Sequence, residues 1–130
     1  DLTNSSITIN GTSVSLGGTA TISASLSLTQ NQQTGTTYTL QASDLNKLVE
    51  LNNAAAITVT VPANILSVGD QIHILQTGAG QVTIAAGANV SAVNAAIGLK
   101  LRTQWSSATL IKRVTSNNAD VWVAVGDLSA

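Results

Sequence analysis

The feature that most constrains this chain is an alternation of apolar and hydroxyl-bearing residues with a period of two. Ile57-Thr58-Val59-Thr60-Val61 is its clearest instance. In an extended strand Ile57, Val59 and Val61 point to one side and Thr58 and Thr60 to the other, and Pro62, with no amide hydrogen for a ladder, closes the run. The pattern returns over DQIHILQTGAGQVTIAAG, from Asp70 to Gly87. Ile72 and Ile74 alternate with polar neighbours, Val82 and Ile84 do so on the far side, and Thr77-Gly78-Ala79-Gly80 can turn between them, which predicts a β-hairpin. Further strands are predicted over 37–41, 47–51, 99–101, 108–115 and 121–126. Ser43-Asp44 reads as the cap of a single helical turn into Leu45 and Asn46, Ser116-Asn117-Asn118 as a turn, and 88–97 as a small-residue loop. About eight short strands separated by turn signals predict an all-β fold with a β-sandwich, jelly-roll-like head.

The first 35 residues differ from the rest. They hold one charged residue, Asp1, amid many Ser and Thr. Ile7 and Ile9 flank Thr8, Asn10-Gly11 supplies a tight type I′ turn, and Val14 and Leu16 resume the alternation, which predicts a hairpin. Ile22, Leu26 and Leu28 continue a sparse apolar pattern. So few apolar side chains make no core for one chain, since a lone two-stranded ribbon is marginal in water. Three chains wound into a triple-stranded stalk would make one. A flexible Ser/Thr-rich linker is the other open reading. The boundary is placed at Gln30 to Gly35, giving a stalk-like β segment over 1–35 and a C-terminal β-sandwich domain over 36–130. Asp1 in place of Met is expected of an excised fragment or processed product with a region missing ahead of it.

Charged residues make up 8% of the chain and the net charge is −1, where ordinary globular proteins carry about 25%. A surface of hydroxyls and amides is typical of β-rich fibres and adhesins. Nothing draws the molecule to nucleic acid or to an anionic membrane, and no apolar run approaches the length of a membrane-spanning helix. Without cysteine no disulfide can form, so stability is expected from side-chain burial, ladder hydrogen bonds and oligomerisation.

No catalytic or metal-binding constellation emerges, and no enzyme activity or cofactor is expected. The only histidine, His73, has no partner in sequence; three copies around a three-fold axis are one reading, an exposed or interface histidine the other. A glycosidase needs two carboxylates across a cleft, whereas Asp44 suits a cap and Asp70, Asp120 and Asp127 suit turns. Gly78-Ala79-Gly80 lacks the helix that a phosphate cradle requires. The sequons Asn4-Ser5-Ser6 and Asn10-Gly11-Thr12 are weak patterns in a chain so rich in Ser, Thr and Asn. Four of the five basic residues, Lys100, Arg102, Lys112 and Arg113, fall close together, with Lys100 and Arg102 on one strand face. They could hold phosphate or carboxylate groups of a bacterial surface polysaccharide, or blunt an edge strand. Trp105, in the loop Gln104-Trp105-Ser106-Ser107, could stack on a sugar ring or lid a small core; Trp122 alternates within a strand and suits a core or an interface. The candidate ligand-binding residues are Lys100, Arg102 and Trp105.

Several stretches, LTNSSITINGTSVSLGG, KLVELNNAAAITVTVP, GDQIHILQTGAGQVTIAAG, LKLRTQWSSATLIKR and WVAVGDLSA, together resemble modules of bacteriophage tail fibres and related virion appendages. LQTGAGQVTIAAG and SATLIKR…WVAVGDLS are the most specific of them. The resemblance implies a homotrimeric, non-enzymatic virion protein: the end of a stalk, then a compact β-domain at or near the host surface, joined to other virion proteins through the missing N-terminal region. It does not by itself imply a receptor; together with the charge-poor composition and the core-poor first segment it leads to the expectation of attachment to a bacterial surface polysaccharide. The alternative is a purely structural virion protein, such as a head fibre, decoration or trimerisation cap. It carries over no catalytic or receptor-binding position.

Overall fold

The computed structural model describes residues 5–9, 11–21, 27–116 and 119–130. The chain is all-β, with thirteen strands and one 3₁₀ turn among the described residues. In order these are β1 (Ser6–Ile9), β2 (Thr12–Ser15), β3 (Thr29–Gln33), β4 (Thr37–Thr39), the 3₁₀ turn Ala42–Asp44, β5 (Lys47–Leu51), β6 (Ile57–Val61), β7 (Gln71–Gln76), β8 (Val82–Ala86), β9 (Val90–Asn94), β10 (Lys100–Leu101), β11 (Ser107–Ser116), β12 (Ala119–Gly126) and β13 (Leu128–Ser129).

β1 and β2 form the expected hairpin, Ile7 opposite Val14, with Gly11 at φ 78°. Asn10, the other half of that turn, both sequon asparagines, Asp1, Ile22, Leu26 and Asn117-Asn118 lie outside the described residues. The ribbon leaves Ile7 64% and Leu16 70% exposed.

The remaining strands form a six-stranded sheet, β3-β5-β7-β11-β12-β9, and a five-stranded sheet, β13-β10-β8-β6-β4. From β3 to β8 the chain alternates between them. β3, β5 and β7 therefore run parallel in one sheet, and β4, β6 and β8 parallel in the other. Antiparallel pairing appears only afterwards, where β10 joins β8, β11 joins β7 and β12 turns back on β11. A jelly roll is antiparallel throughout, so the expected order is replaced by a winding coil with an antiparallel end. The region expected to be a loop over 88–97 holds β9, which pairs in parallel with β12. β3, on the stalk side of the boundary expected at Gln30 to Gly35, is paired along its whole length with β5.

The expected hairpin over 70–87 is corrected. β7 and β8 lie in different sheets, so the turn between them is an arch across the core. Ile72 and Ile74 from one sheet and Val82 and Ile84 from the other are all buried in a single core with Val49, Leu51, Val59, Leu110 and Trp122. Alternation is satisfied equally by strands that bond to each other and by strands that face each other. The difference comes from the preceding turn of the coil. The amides of Thr77 and Gly78 donate to the Leu51 carbonyl at 2.9 and 3.2 Å, and Gly80 donates to Asn53 at 2.8 Å. A Cβ on Gly78 would run into the Asn53 backbone and one on Gly80 into the Ala55 carbonyl. These glycines serve close stacking of one arch on the last, not a left-handed turn.

The first turn of the coil has a neighbour on one side only. In β3 the inward positions, in register with Val49 and Leu51, are Asn31 and Gln33. Asn31 Nδ2 donates to Tyr38 Oη at 2.9 Å and to Asp44 Oδ1 at 2.8 Å, and Tyr38 Oη donates to Asp44 Oδ2 at 2.8 Å. The Gln41 amide adds another bond to Asp44 Oδ2 at 2.8 Å. A satisfied polar network thus closes the end of the core that an apolar layer would leave bare.

Candidate functional site

Between β10 and β11 the chain makes a tight loop, tied to Asp127 on one side and to the arch on the other. Asp127, just past β12, accepts from Arg102 Nε at 2.8 Å and Nη2 at 2.9 Å, and from Ser106 Oγ at 2.7 Å. Ser106 Oγ in turn accepts from the Thr103 amide at 3.1 Å. From the arch, the Gln76 carbonyl accepts from the Trp105 amide at 2.7 Å, and the Thr77 carbonyl accepts from Gln104 Nε2 at 2.9 Å. Gln76 is itself fixed, buried with Nε2 donating to the Gly78 carbonyl at 3.2 Å and Oε1 accepting from the Val82 amide at 3.1 Å.

This frame holds Trp105 at φ 70°, in the left-handed region, with 67% of its surface exposed. The conformation costs a residue with a Cβ about 1–2 kcal/mol. An exposed indole returns little burial energy for that cost, so the geometry presents the ring outward rather than sheltering it.

The three predicted site residues have separate fates. Trp105 is exposed and is no lid over the core. Arg102 lies beyond the end of β10, and its guanidinium is bound by both oxygens of Asp127. Hydrogen bonds from Arg102 and then Ser106 hold the Asp127 carboxyl below the usual carboxylate range, and the same carboxylate raises Arg102 further. Lys100 alternates with buried Leu101, on the outer face of the five-stranded sheet, in register with Thr83 and Ser129.

The basic cluster is corrected too. Lys112 is buried at 3% exposure, as is Asp120, which it meets at 3.1 Å. Lys112 Nζ also donates to the Ile65 and Leu66 carbonyls at 3.0 Å each. Asp120 is a strand residue with a structural role, not a turn residue. Burial pushes its carboxyl up, but the Asn64 amide, Lys112 and the Thr115 hydroxyl together outweigh that and hold it below the usual range. Asp70 does serve its turn, accepting from the Ser67 amide at 2.9 Å. Trp122 is fully buried, and among the described residues no acceptor reaches its Nε1. His73 lies outward on β7, with Nδ1 3.0 Å from Thr109 Oγ1.

Asp127, Ser106 and Gln76, which build the Trp105 frame, were not singled out as site residues by the sequence. Asp127 is 25 residues from Arg102 and 21 from Ser106, and no local pattern links positions so far apart.

No protein-family model matches the chain, and no curated protein matches it.

Proposed function

We propose that this chain is the non-catalytic end module of a trimeric bacteriophage tail fibre or related virion appendage, and that it attaches to bacterial surface glycan through Trp105. The residues ahead of β3 act as the end of a triple-stranded stalk, and the two-sheet body, which begins with β3, as the head. The single observation carrying the glycan reading is the exposed indole in strained backbone, braced by Gln76, Ser106 and the Arg102–Asp127 pair. A flat aromatic presented rigidly suits the C–H face of a sugar ring. Because Asp127 neutralises Arg102, the ligand is an uncharged saccharide segment. Three weak sites on one fibre act together through avidity. The ligand-free alternative, a structural virion protein, is favoured by the same pairing, which removes one of the two basic groups from any ligand.

The test is titration of the full chain with purified O-chain, capsular and cell-wall polysaccharides, read by calorimetry, which needs no indole and serves parent and variant alike. Binding to at least one, weakened about tenfold or more by Trp105→Gly, is the expected result. The same substitution relieves the left-handed strain, so stability stays level or rises by about 1 kcal/mol. Unchanged binding in the variant would remove Trp105 from the site; no binding by the parent would favour the structural role.

A further inference from the structure

The hairpin β1–β2 sorts its side chains by chemistry. Ile7 stands opposite Val14 and Ile9 opposite Thr12, and the Leu16 amide extends the ladder to the Ser5 carbonyl at 2.7 Å. Alternation therefore puts Ile7, Ile9, Val14 and Leu16 on one face, with Ser5 and Thr12 at its ends, and Ser6, Thr8, Ser13 and Ser15 on the other. After β2 a tight turn, with Gly17 at φ 80° and the Gly18 amide donating to the Ser15 carbonyl at 2.8 Å, sends the chain back. All four aliphatic side chains, together with Ala20, line a groove of about 300 Å³. Ile9 and Val14 are half-buried, but Ile7 and Leu16 remain largely exposed, and none of the four belongs to the body's core or packs against it. A two-stranded ribbon needs a covering layer on such a face to be stable in water.

We infer that the covering layer is the same face of the neighbouring copies, three hairpins packing their aliphatic faces inward around the fibre axis and turning their Ser/Thr faces to water. The chemistry selects a copy over other occupants. From Leu2 to Ser43 the chain has no Asp, Glu, Lys or Arg, so identical faces meet on one axis without the repulsion that a single charge on each would bring. From Leu2 to Thr37 it has no aromatic ring either. The ribbon thus offers a bilayer neither basic nor aromatic anchors, and a sugar no ring to stack on. What the groove takes is aliphatic, and the exposed Ile7 and Leu16 of a second ribbon supply it. Packing of this kind joins side chains and leaves both edges of each hairpin open to water, so the outward amides still exchange. The inference rests on the trimeric reading above and assigns its stalk a contact face.

The contact is short, four aliphatic side chains from each copy, so native mass is measured by light scattering on the full chain at about 100 µM. The parent is expected to be a trimer. Ile7→Lys combined with Leu16→Lys should yield monomer, while Thr8→Lys with Ser13→Lys on the hydroxyl face keeps the parental mass. Near-ultraviolet dichroism of the buried Trp122 checks that the body is folded in each. Should the first pair unfold the ribbon, a second measurement decides: Leu16→Cys, the sole thiol in a chain without cysteine, should be cross-linked between copies by a short bismaleimide, and Ser15→Cys, on the other face, should not. A trimer that survives the Ile7 and Leu16 pair would overturn the inference and leave the trimeric reading standing, with the body as its contact. Dissociation by both pairs alike would also overturn it, since the choice of face would then not matter. A parent monomeric at this concentration would overturn the inference and the trimeric reading together, while the polysaccharide titration scores Trp105 independently.

Discussion

Asp44, Asp120 and Asp127 are carboxylates with three different supports: a hydroxyl and two amides, a buried ammonium, and a guanidinium with a serine hydroxyl. Asp120 is buried against Lys112 at 3.1 Å, and its folded value lies below the ordinary carboxyl value of 3.8. The unfolded chain therefore takes up that proton first as pH falls. The contribution is fully present above pH 3.8 and is lost as pH drops below it through the folded value. Lys112→Met leaves the carboxylate buried without its cation and should cost about 3–5 kcal/mol in urea unfolding at neutral pH. The chain has one tyrosine, and Tyr38 is pushed up to about 12 by burial first and then by the hydrogen bond and charge of Asp44. Its absorbance near 295 nm should titrate with a midpoint near 12. Stability linked to Tyr38 is present below the ordinary value of 10.0 and lost as pH rises through about 12, the raised-value direction of the linkage. A midpoint near 10 would mean the Asn31–Tyr38–Asp44 network is open in solution.

At the scale of the element, the arch between β7 and β8 is the informative unit. Gly80 approaches the Ala55 carbonyl so closely that a methyl group has no room, and the displaced atoms are backbone. Gly80→Ala should lower the unfolding free energy by about 3 kcal/mol in denaturant titration. Gly11→Ala, where a Cβ meets nothing within 4 Å and only the positive φ is at stake, should cost about 1 kcal/mol. Equal costs would mean the stacked arches do not form. The strand over 57–61 was legible because Ile57, Val59 and Val61 sit in a core that demands their alternation. The 3₁₀ turn was legible in part: a turn forms there, but its cap is Gln41, not Ser43-Asp44, and Asp44 ends it by bonding back to the Gln41 amide. β9 was not, since Val90, Ala92 and Val93 carry little period-two signal and its partner, β12, lies some thirty residues on.

At the scale of the whole molecule, order should fall from the centre of each sheet to its margins. β5, β7 and β11 are paired on both sides over the core, whereas β3, β4, β9 and β13 are edges and β1–β2 stands as a two-stranded ribbon. Native-state hydrogen exchange should therefore be slowest in β5, β7 and β11 and fastest in β1–β2; uniformly slow ribbon amides would show that another chain covers it. The sequence by itself determined that this protein is all-β, which positions alternate, and that its charges are few, because these are read from composition and from neighbours one or two residues away. Only the tertiary structure decided that the chain coils between two sheets instead of folding into hairpins, that Arg102 is tied to Asp127 and Lys112 to Asp120, and that Trp105 stands exposed in strained backbone. Those outcomes rest on contacts between residues far apart in sequence, such as Gly80 against Ala55 and Gln76 beneath Trp105, and a pattern with a period of two is the same whether its strands bond side by side or face one another across a core.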